Sequence, residues 1–460
     1  MSPSPLPIQY LHLETAVLPI FLAMVLWIQL ARASEPGYYT PAGRKQALWL
    51  SLGFALLTIV FGCFLYDDSP LLAVELAAGV ILSLLHPVNA LCFFVHLLIL
   101  RPWEIATTND LLLSLPRCLG ILCVFSWLIY PGQHGRPNAR AIRVLILLLG
   151  FSVWLFLTTF RTPSIERTQA DWFATYFKSL IVFVMCLFFI ESERSVLEFE
   201  LTLVISAFAL IIVGFYQFRS AGTSSGRLEF VGLIKDPNDL SAVIVMAIPF
   251  ALVPVFSQLT RLARQIMGFL FTGFSVLVIW YTKSRGAMLA LAVQILTAGT
   301  LKTSGNKWLR MLLLAGLLGA GYVAAVKAIP RDPEDMLVST ENRITYWKAA
   351  VDMTLHHPIW GVGYGQFEQN VWQHQTAHSS WFLAFAESGI LGGLLFVAFF
   401  VAVLWTAWSI RRQYPEQLYA LVGYGVAMTF LSHTYLIYPY MLAGLIIASD
   451  SLHVRIKDEP

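Results

Sequence analysis

Long apolar runs separated by short polar stretches recur along the whole chain. A helix needs about 20 apolar residues to cross a hydrocarbon core about 30 Å thick, and most of these runs approach that length. They show no strict alternation of apolar and polar positions. Because backbone polar groups find no water inside a bilayer, such runs predict helices. The predicted spans are residues 13–31, 46–66, 70–85, 88–100, 111–130, 141–159, 173–190, 196–218, 238–256, 264–282, 287–301, 308–328, 381–407, 417–432 and 440–453.

The composition supports this interpretation. Of the 460 residues, 57% are hydrophobic and 12% are charged, whereas about 25% are charged in soluble domains. The predicted fold class is therefore all-α: a polytopic membrane helix bundle of about 12–15 transmembrane helices, with residues 1–460 as one domain. The five cysteines lie in apolar runs and are interpreted as small buried hydrophobes. Nothing in the charge pattern predicts a nucleic-acid partner.

The distribution of lysine and arginine orients the chain. Alternate loops carry most of the positive charge, and the positive-inside bias assigns them to the cytoplasm. The opposite, outer side then holds the loops near 160–172, 219–237 and 283–286, and the one long loop, 329–380. The cations predicted to be cytoplasmic are Arg32, Arg44, Lys45, Arg136, Arg140, Arg143, Arg261, Arg264, Lys302, Lys307, Arg310, Arg411, Arg412, Arg455 and Lys457.

The outer side is also basic. Cations kept on this side predict a bound anion, with anionic lipid headgroups as the alternative explanation. The outer cations are Arg219, Arg227, Lys235, Lys283, Arg285, Arg343 and Lys348.

The long outer loop contains a predicted surface helix. Ser339 or Thr340 is expected to cap it, and it is expected to end at His356 because a residue before Pro358 disfavours helical geometry. An apolar face suits a helix lying on the membrane or over a cavity mouth. The residues of that face are Ile344, Trp347, Val351 and Leu355.

The segment Gly361–Gly365 alternates glycine with Val362 and Tyr364. It is not a dinucleotide fingerprint, because no strand precedes it. It is not a potassium filter, because Gly361 stands at the threonine position. The segment predicts a tight turn with positive φ, which offers backbone N–H groups to an anion.

Several polar side chains invite a chemical interpretation. His374 and His378 have an i, i+4 spacing, but no third zinc ligand accompanies them, so acid–base work by His378 is favoured. Asp67 and Asp68 suit either a metal or the start of a helix, and the helix dipole makes the second interpretation more attractive. The charged residues within spans are expected to face the bundle interior. They are Glu75, Arg117 and Lys178.

Several motifs resemble the signature region of the bacterial O-antigen ligase/polymerase superfamily. His378-Ser379, nine residues, Gly389, two residues and Gly392 is similar to the pattern H-[NSQ]-x9-G-x-x-[GTY]. The resemblance covers roughly residues 210–410. The other matching pieces are Gly226-Arg227, Asp236–Asn238, Ser284–Gly286, Arg343–Trp347, His357–Gly363, Ala377 and Glu387–Gly392.

The resemblance implies a glycosyltransferase of the bacterial inner membrane that works at the periplasmic face, without metal or nucleotide. Its donor would be a glycan on undecaprenyl pyrophosphate, and its acceptor a lipid A–core sugar or another glycan or protein hydroxyl. Transfer needs a base for the acceptor proton and cations for the developing pyrophosphate charge. His378 is the expected base, with Arg285 first among the expected pyrophosphate ligands. The other expected ligands are Arg227, Arg343, Lys235 and Lys283.

Three functions remain open at this stage. The histidine-to-glycine pattern favours a ligase. The number of outer cations suits a polymerase, which must hold two lipid pyrophosphates. A transporter of lipid-linked glycans would also use outer arginines, but no matching halves with broken helices are apparent.

Overall fold

The computed structural model describes residues 70–101, 110–130, 134–220, 227–228, 236–252, 261–302, 316, 333–371 and 374–458. Within these ranges the regular structure is helical and contains no strand, which confirms the all-α prediction. Three predicted spans lie outside the described residues, namely 13–31, 46–66 and most of 308–328. Lys235, Asp67 and Asp68 also lie outside them.

The helices follow most of the predicted spans, since long apolar runs bounded by polar residues leave little freedom in where a helix ends. The predicted outer loop near 160–172 is an exception, because residues 165–174 form a helix. They are α1 Pro70–Leu85, α2 Pro87–Leu100, α3 Asp110–Ile129, α4 Ala139–Thr158, α5 Ile165–Ala174, α6 Tyr176–Phe189, α7 Glu193–Ser220, α8 Pro237–Leu252, α9 Arg261–Tyr281, α10 Arg285–Lys302, α11 Pro333–His356, α12 Ser380–Ile410, α13 Pro415–Met428 and α14 Ile437–Asp458.

Five stretches of the described chain are long and apolar enough to cross a membrane. They differ in how far the protein covers them: 39% of the apolar window is buried in the stretch built on α4, against 83% in that of α14. The solvent-exposed surface of α4 is mainly apolar, as contact with lipid requires. The five stretches are Ala139–Arg161, Ile165–Phe189, Glu193–Phe215, Ser380–Ile410 and Ile437–Lys457.

The chain divides into two compact units. The first comprises Met1–His134 and Arg194–Leu240, and the second comprises Gly135–Glu193 and Ser241–Pro460. In the first unit α1, α2 and α3 pack together. In the second, α6 packs on α14, α4 and α11 pack on α12, and α10 packs on α13.

Arg117 does not face the bundle interior, so that prediction is wrong for this residue. Its side chain is exposed on α3, on the same helical face as the exposed Ile121 and Phe125. A long arginine side chain can lie along an apolar face and carry its charge toward water, which removes the need for a buried partner. Lys178 on α6 is half-buried, and the side chain of Glu75 lies outside the description.

The surface helix of the long loop, α11, begins earlier than predicted. It starts at Pro333, so Ser339 and Thr340 are interior residues rather than caps. Proline suits a first helical position because its missing N–H would have no partner there. The helix ends at His356, as predicted, and three of the four residues of its apolar face are exposed. They are Ile344, Val351 and Leu355.

Candidate active site

Helix α12 is broken at Gly389. This residue has φ 68° and ψ −171°, which separates Ser380–Ser388 from Ile390–Ile410. Only glycine adopts such a conformation without steric cost. A Cβ added at Gly389 would also lie 2.3 Å from the carbonyl oxygen of Ile359. Both the conformation and the close approach therefore require glycine here.

The loop after α11 bonds to the backbone on both sides of this break. The Val362 N–H donates to the Ala386 carbonyl at 2.8 Å, and the Ile390 N–H donates to the Pro358 carbonyl at 2.8 Å. These bonds satisfy polar groups that an interrupted helix would otherwise leave open. The loop and the broken helix therefore form one structural element.

The glycine-rich segment of this loop is the tight turn that the sequence predicts. Gly361, Gly363 and Gly365 have φ values of 65°, 100° and 69°. A Cβ at Gly361 would lie 2.5 Å from the Ala386 carbonyl oxygen, whereas one at Gly365 would meet nothing within 4 Å. Gly361 therefore permits the approach to α12, while at Gly365 only the positive φ requires glycine.

Glu387 holds the same loop through hydrogen bonds to its backbone. Its buried carboxylate accepts hydrogen bonds from the Gly365 N–H at 3.0 Å, the Phe367 N–H at 2.9 Å and the Tyr435 hydroxyl at 2.7 Å. A buried carboxylate needs several donors to offset its lost hydration. No local pattern in the sequence indicates this role of Glu387, because the donors lie about 20 and 48 residues away.

Gly392 completes the motif by allowing a tryptophan to approach. A Cβ at this position would lie 2.9 Å from Cδ1 of Trp154 on α4. The Trp154 indole N–H donates to the Ser388 carbonyl at 2.8 Å, and its ring stacks on Trp360 with centroids 4.5 Å apart. Of the two motif glycines, one thus allows the break in α12 and the other allows Trp154 to pack against it.

His378 lies immediately before α12. It adopts a left-handed backbone conformation with φ 47°, and its half-buried ring lies 6.1 Å from that of Tyr346 on α11. His374 also has positive φ, and its Nδ1 lies 3.0 Å from the Glu368 carbonyl oxygen. The two histidines therefore do not share one helical face, which removes the geometry on which the zinc interpretation depended.

The start of α12 is anchored to the segment before α14. The Ser380 hydroxyl donates to the Leu431 carbonyl at 2.6 Å and accepts from the His433 N–H at 2.9 Å. The Thr434 hydroxyl donates to the Ser380 carbonyl at 2.8 Å. These bonds fix the backbone two residues beyond His378 and thereby restrict the position of the histidine.

Arg285 begins α10 after a turn through Lys283, which has a φ of 52°. Ser284 caps this helix by accepting from the Ala287 N–H at 3.4 Å. The next residue, Gly286, lies against Phe430, since an added Cβ would be 3.4 Å from the Phe430 Cβ. Arg285 is half-buried at this junction.

Arg343 lies one turn before Trp347 on α11, so the two side chains are neighbours on one face. The Trp347 ring lies 5.5 Å from that of Phe382 on α12 and 6.4 Å from that of Phe430. This aromatic group of Trp347, Phe382 and Phe430 connects the elements that carry Arg343, His378 and Arg285. Three of the predicted site residues therefore belong to one neighbourhood of the second unit.

Arg227 belongs to the first unit, where its guanidinium donates to Asn238 Oδ1 at 3.2 Å. Asp236 fixes that asparagine, because its Oδ1 accepts from the Asn238 amide at 2.7 Å and from the Asn238 N–H at 2.8 Å. The upstream motif is thus a small local network. Lys235 lies outside the described residues.

The tyrosines of the loop network cannot serve as bases near neutral pH. Burial and the neighbouring Glu387 raise the pKa values of Tyr364 and Tyr435 well above their usual range. Partial burial also raises the pKa of Glu368, against an opposing effect of His374. An imidazole, by contrast, normally titrates near pH 6.5.

Together these features describe an all-α membrane protein in which α12 is broken at Gly389, a loop bonds to both sides of that break, and His378 lies just before the same helix. Residues 268–397 match the family described as O-antigen ligase. The match runs from α9 into α12, includes Arg285, Arg343, His378, Gly389 and Gly392, and supports the resemblance of this part of the chain to the O-antigen ligase superfamily. Residues 69–264, which contain Arg227, match a family of unknown function. No curated protein matches the chain.

Proposed function

We propose that the protein transfers a glycan from undecaprenyl pyrophosphate to an acceptor hydroxyl at the periplasmic face of the inner membrane. The observation that carries this proposal is the position of His378 at the start of α12, connected through one aromatic group to the elements bearing Arg285 and Arg343. Such a site combines a base with cations and lies beside a surface helix whose apolar face is exposed.

The proposed reaction is a displacement at the anomeric carbon. A His378 ring nitrogen takes the proton of the acceptor hydroxyl while that oxygen bonds to the anomeric carbon. The bond from this carbon to the pyrophosphate oxygen breaks, and its electron pair leaves with the lipid pyrophosphate. A positioned base of this kind typically contributes about 10²–10⁴-fold to the rate.

The arginines stabilise the leaving group in this scheme. Negative charge grows on the pyrophosphate as the bond breaks, and guanidinium groups pair with phosphate oxygens bidentately. Arg285 is the first candidate, because the cap at Ser284 and the contact of Gly286 with Phe430 fix its backbone. Arg343 and Lys283 are the further candidates in the second unit, and Arg227 and Lys235 are those of the first.

The ligase reaction is proposed ahead of the polymerase reaction. Both use the same donor, base and cations, and they differ in whether the acceptor is a lipid A–core sugar or a second lipid-linked glycan. The motif from His378 to Gly392, which the structure ties to the break in α12, is the one associated with ligases.

The test gives purified full-length protein lipid-linked repeat units, first alone and then with lipid A–core. Product only after the addition of lipid A–core supports the ligase, and a ladder of longer chains from the repeat units alone establishes a polymerase. Donor that binds without transfer under either condition contradicts both. The His378→Ala variant, assayed in parallel, serves as the matched control.

A further inference from the structure

A basic cavity lies at the opposite end of α12 from His378. It has a volume of about 520 Å³ and is open to the surface. By helical rise alone, the 31 residues of α12 separate the two ends by about 45 Å. The cavity is therefore remote from the proposed active site. Its lining residues are Ser409, Ile410, Arg411, Arg412, Gln413, His453 and Lys457.

The cavity presents three permanent positive charges. The Arg411 guanidinium stacks over Trp408 at 4.1 Å and donates to the Trp408 carbonyl at 2.6 Å, which fixes its position. Arg412 and Lys457 are exposed. Among the residues the structure describes, neither forms an ion pair with a carboxylate.

Two acidic side chains near the cavity have partners in the part of the chain that the structure describes. Asp450 pairs with Arg140 at 2.7 Å and also accepts from the Asn138 amide at 2.8 Å. Glu193 accepts from Gln413 at 3.0 Å. The Gln413 amide is neutral and leaves the charge of Glu193 in place, so the three cations give the described cavity lining a net positive charge.

Two exposed tryptophans place the cavity at the boundary of the membrane. Trp405 and Trp408 are 68% and 47% exposed on the face of α12 that the protein leaves uncovered. Tryptophan concentrates where hydrocarbon meets the headgroups. Toward the membrane centre the same surface is apolar, with Val401 59% exposed. An anion held in the cavity would lie at headgroup depth, beside a surface suited to acyl chains.

We propose that this cavity binds the phosphate headgroup of an anionic phospholipid, with the acyl chains along α12. Basic pockets between membrane helices on the cytoplasmic side recognise such headgroups, and the charge distribution predicts that this end of α12 is cytoplasmic. The phosphate would contact Arg411, Arg412 and Lys457, and His453 lies at the same cavity. The inference is independent of the proposed transfer reaction.

The test compares phosphatidylglycerol with phosphatidylethanolamine, each titrated onto purified full-length protein and followed by native mass spectrometry. Each lysine or arginine near an anionic lipid contributes about fivefold to binding. The double variant R412Q/K457Q is therefore expected to lose about 10- to 30-fold in apparent affinity for phosphatidylglycerol. The control R136Q/R143Q removes two exposed cations at the same end but outside the cavity, and is expected to lose less than threefold.

Three outcomes would overturn the proposal: equal affinity of the wild type for both lipids, equal losses in the two double variants, or displacement of the lipid by inorganic phosphate at the same concentration. The last would assign the cavity to a free anion. Both variants are expected to keep the wild-type melting temperature, because exposed side chains contribute little to stability.

Discussion

The two segments of α12 show how one helix serves two environments. Ser380–Ser388 is hydrogen-bonded to the loop through Glu387 and to the segment near Leu431 through Ser380. Most of its side chains are buried. Ile390–Ile410 has an exposed apolar surface, which includes Leu394 at 54% and Val401 at 59% exposure. Geometric constraint is thus concentrated in the first segment, next to His378. Substitutions there should change activity or folding, and substitutions on the second surface should change neither.

The largest expected effect is on the transfer rate of His378→Ala. Removing a general base lowers the rate by about 10²–10⁴-fold, while donor binding should persist because the cations remain. Turnover of purified protein and binding of lipid-linked donor are measured together. A variant that keeps near-normal turnover across pH would contradict the assignment, and one that instead loses thermal stability would point to a structural role.

Gly389→Ala should strongly reduce the yield of folded protein. The added Cβ meets the Ile359 carbonyl oxygen at 2.3 Å and the backbone has positive φ, and strained backbone alone costs about 1–3 kcal/mol. The matched control is Gly273→Ala, where a Cβ meets nothing within 4 Å. Melting temperatures of detergent-purified variants should separate the two, and equal stability would show that the break relaxes easily.

Glu387→Gln should destabilise the loop by about 1–3 kcal/mol. The amide NH₂ that replaces one carboxylate oxygen would face a donor, either a backbone N–H or the Tyr435 hydroxyl, and the hydrogen bond there would be lost. Tyr435→Phe removes one of the three donors and should cost less. Both are compared by melting temperature and by proteolysis within residues 357–371. If Glu387→Gln leaves the loop as protected as in the wild type, the carboxylate does not hold it.

The smallest effect is expected at Arg285. Arg285→Ala should weaken donor capture by about tenfold, which is the low end of the about 1.5–3 kcal/mol that a charge-assisted hydrogen bond contributes, because the other candidate cations remain. Arg285→Lys should restore only part of it, because a point charge does not replace a planar fork. Donor titrations measure both variants, and full rescue by lysine would argue against bidentate contact.

The helix boundaries were predictable from the sequence because apolar runs and prolines act locally. The start of α11 was not, since Ser339 and Thr340 carry a capping signal that the structure does not use. The break at Gly389 was also hidden, because a glycine inside an apolar run is usually tolerated in a helix. Its cause lies in contacts with Ile359 and Glu387 that local patterns cannot report.

The candidate site residues can be named from the sequence, but their arrangement cannot. The motif indicated His378, and the outer charge indicated Arg285 and Arg343. Their connection through Trp347 and Phe430 depends on how α10, α11 and α12 pack, which a single sequence does not encode in any short pattern. The role of Arg227 remains a prediction, because the structure describes its contacts only within the first unit.

The tryptophans at the end of α12 also indicate how deep in the membrane the proposed active site lies. If Trp405 marks one edge of the hydrocarbon, a core about 30 Å thick ends about 20 residues earlier, near Phe385. The start of α12 at Ser380 then lies about 8 Å beyond that edge, since each helical residue rises about 1.5 Å, and His378 is two residues further along the chain. This is the layer that phosphate groups of lipids occupy. A carrier anchored by its hydrocarbon tail would therefore bring its pyrophosphate to the histidine without leaving the bilayer.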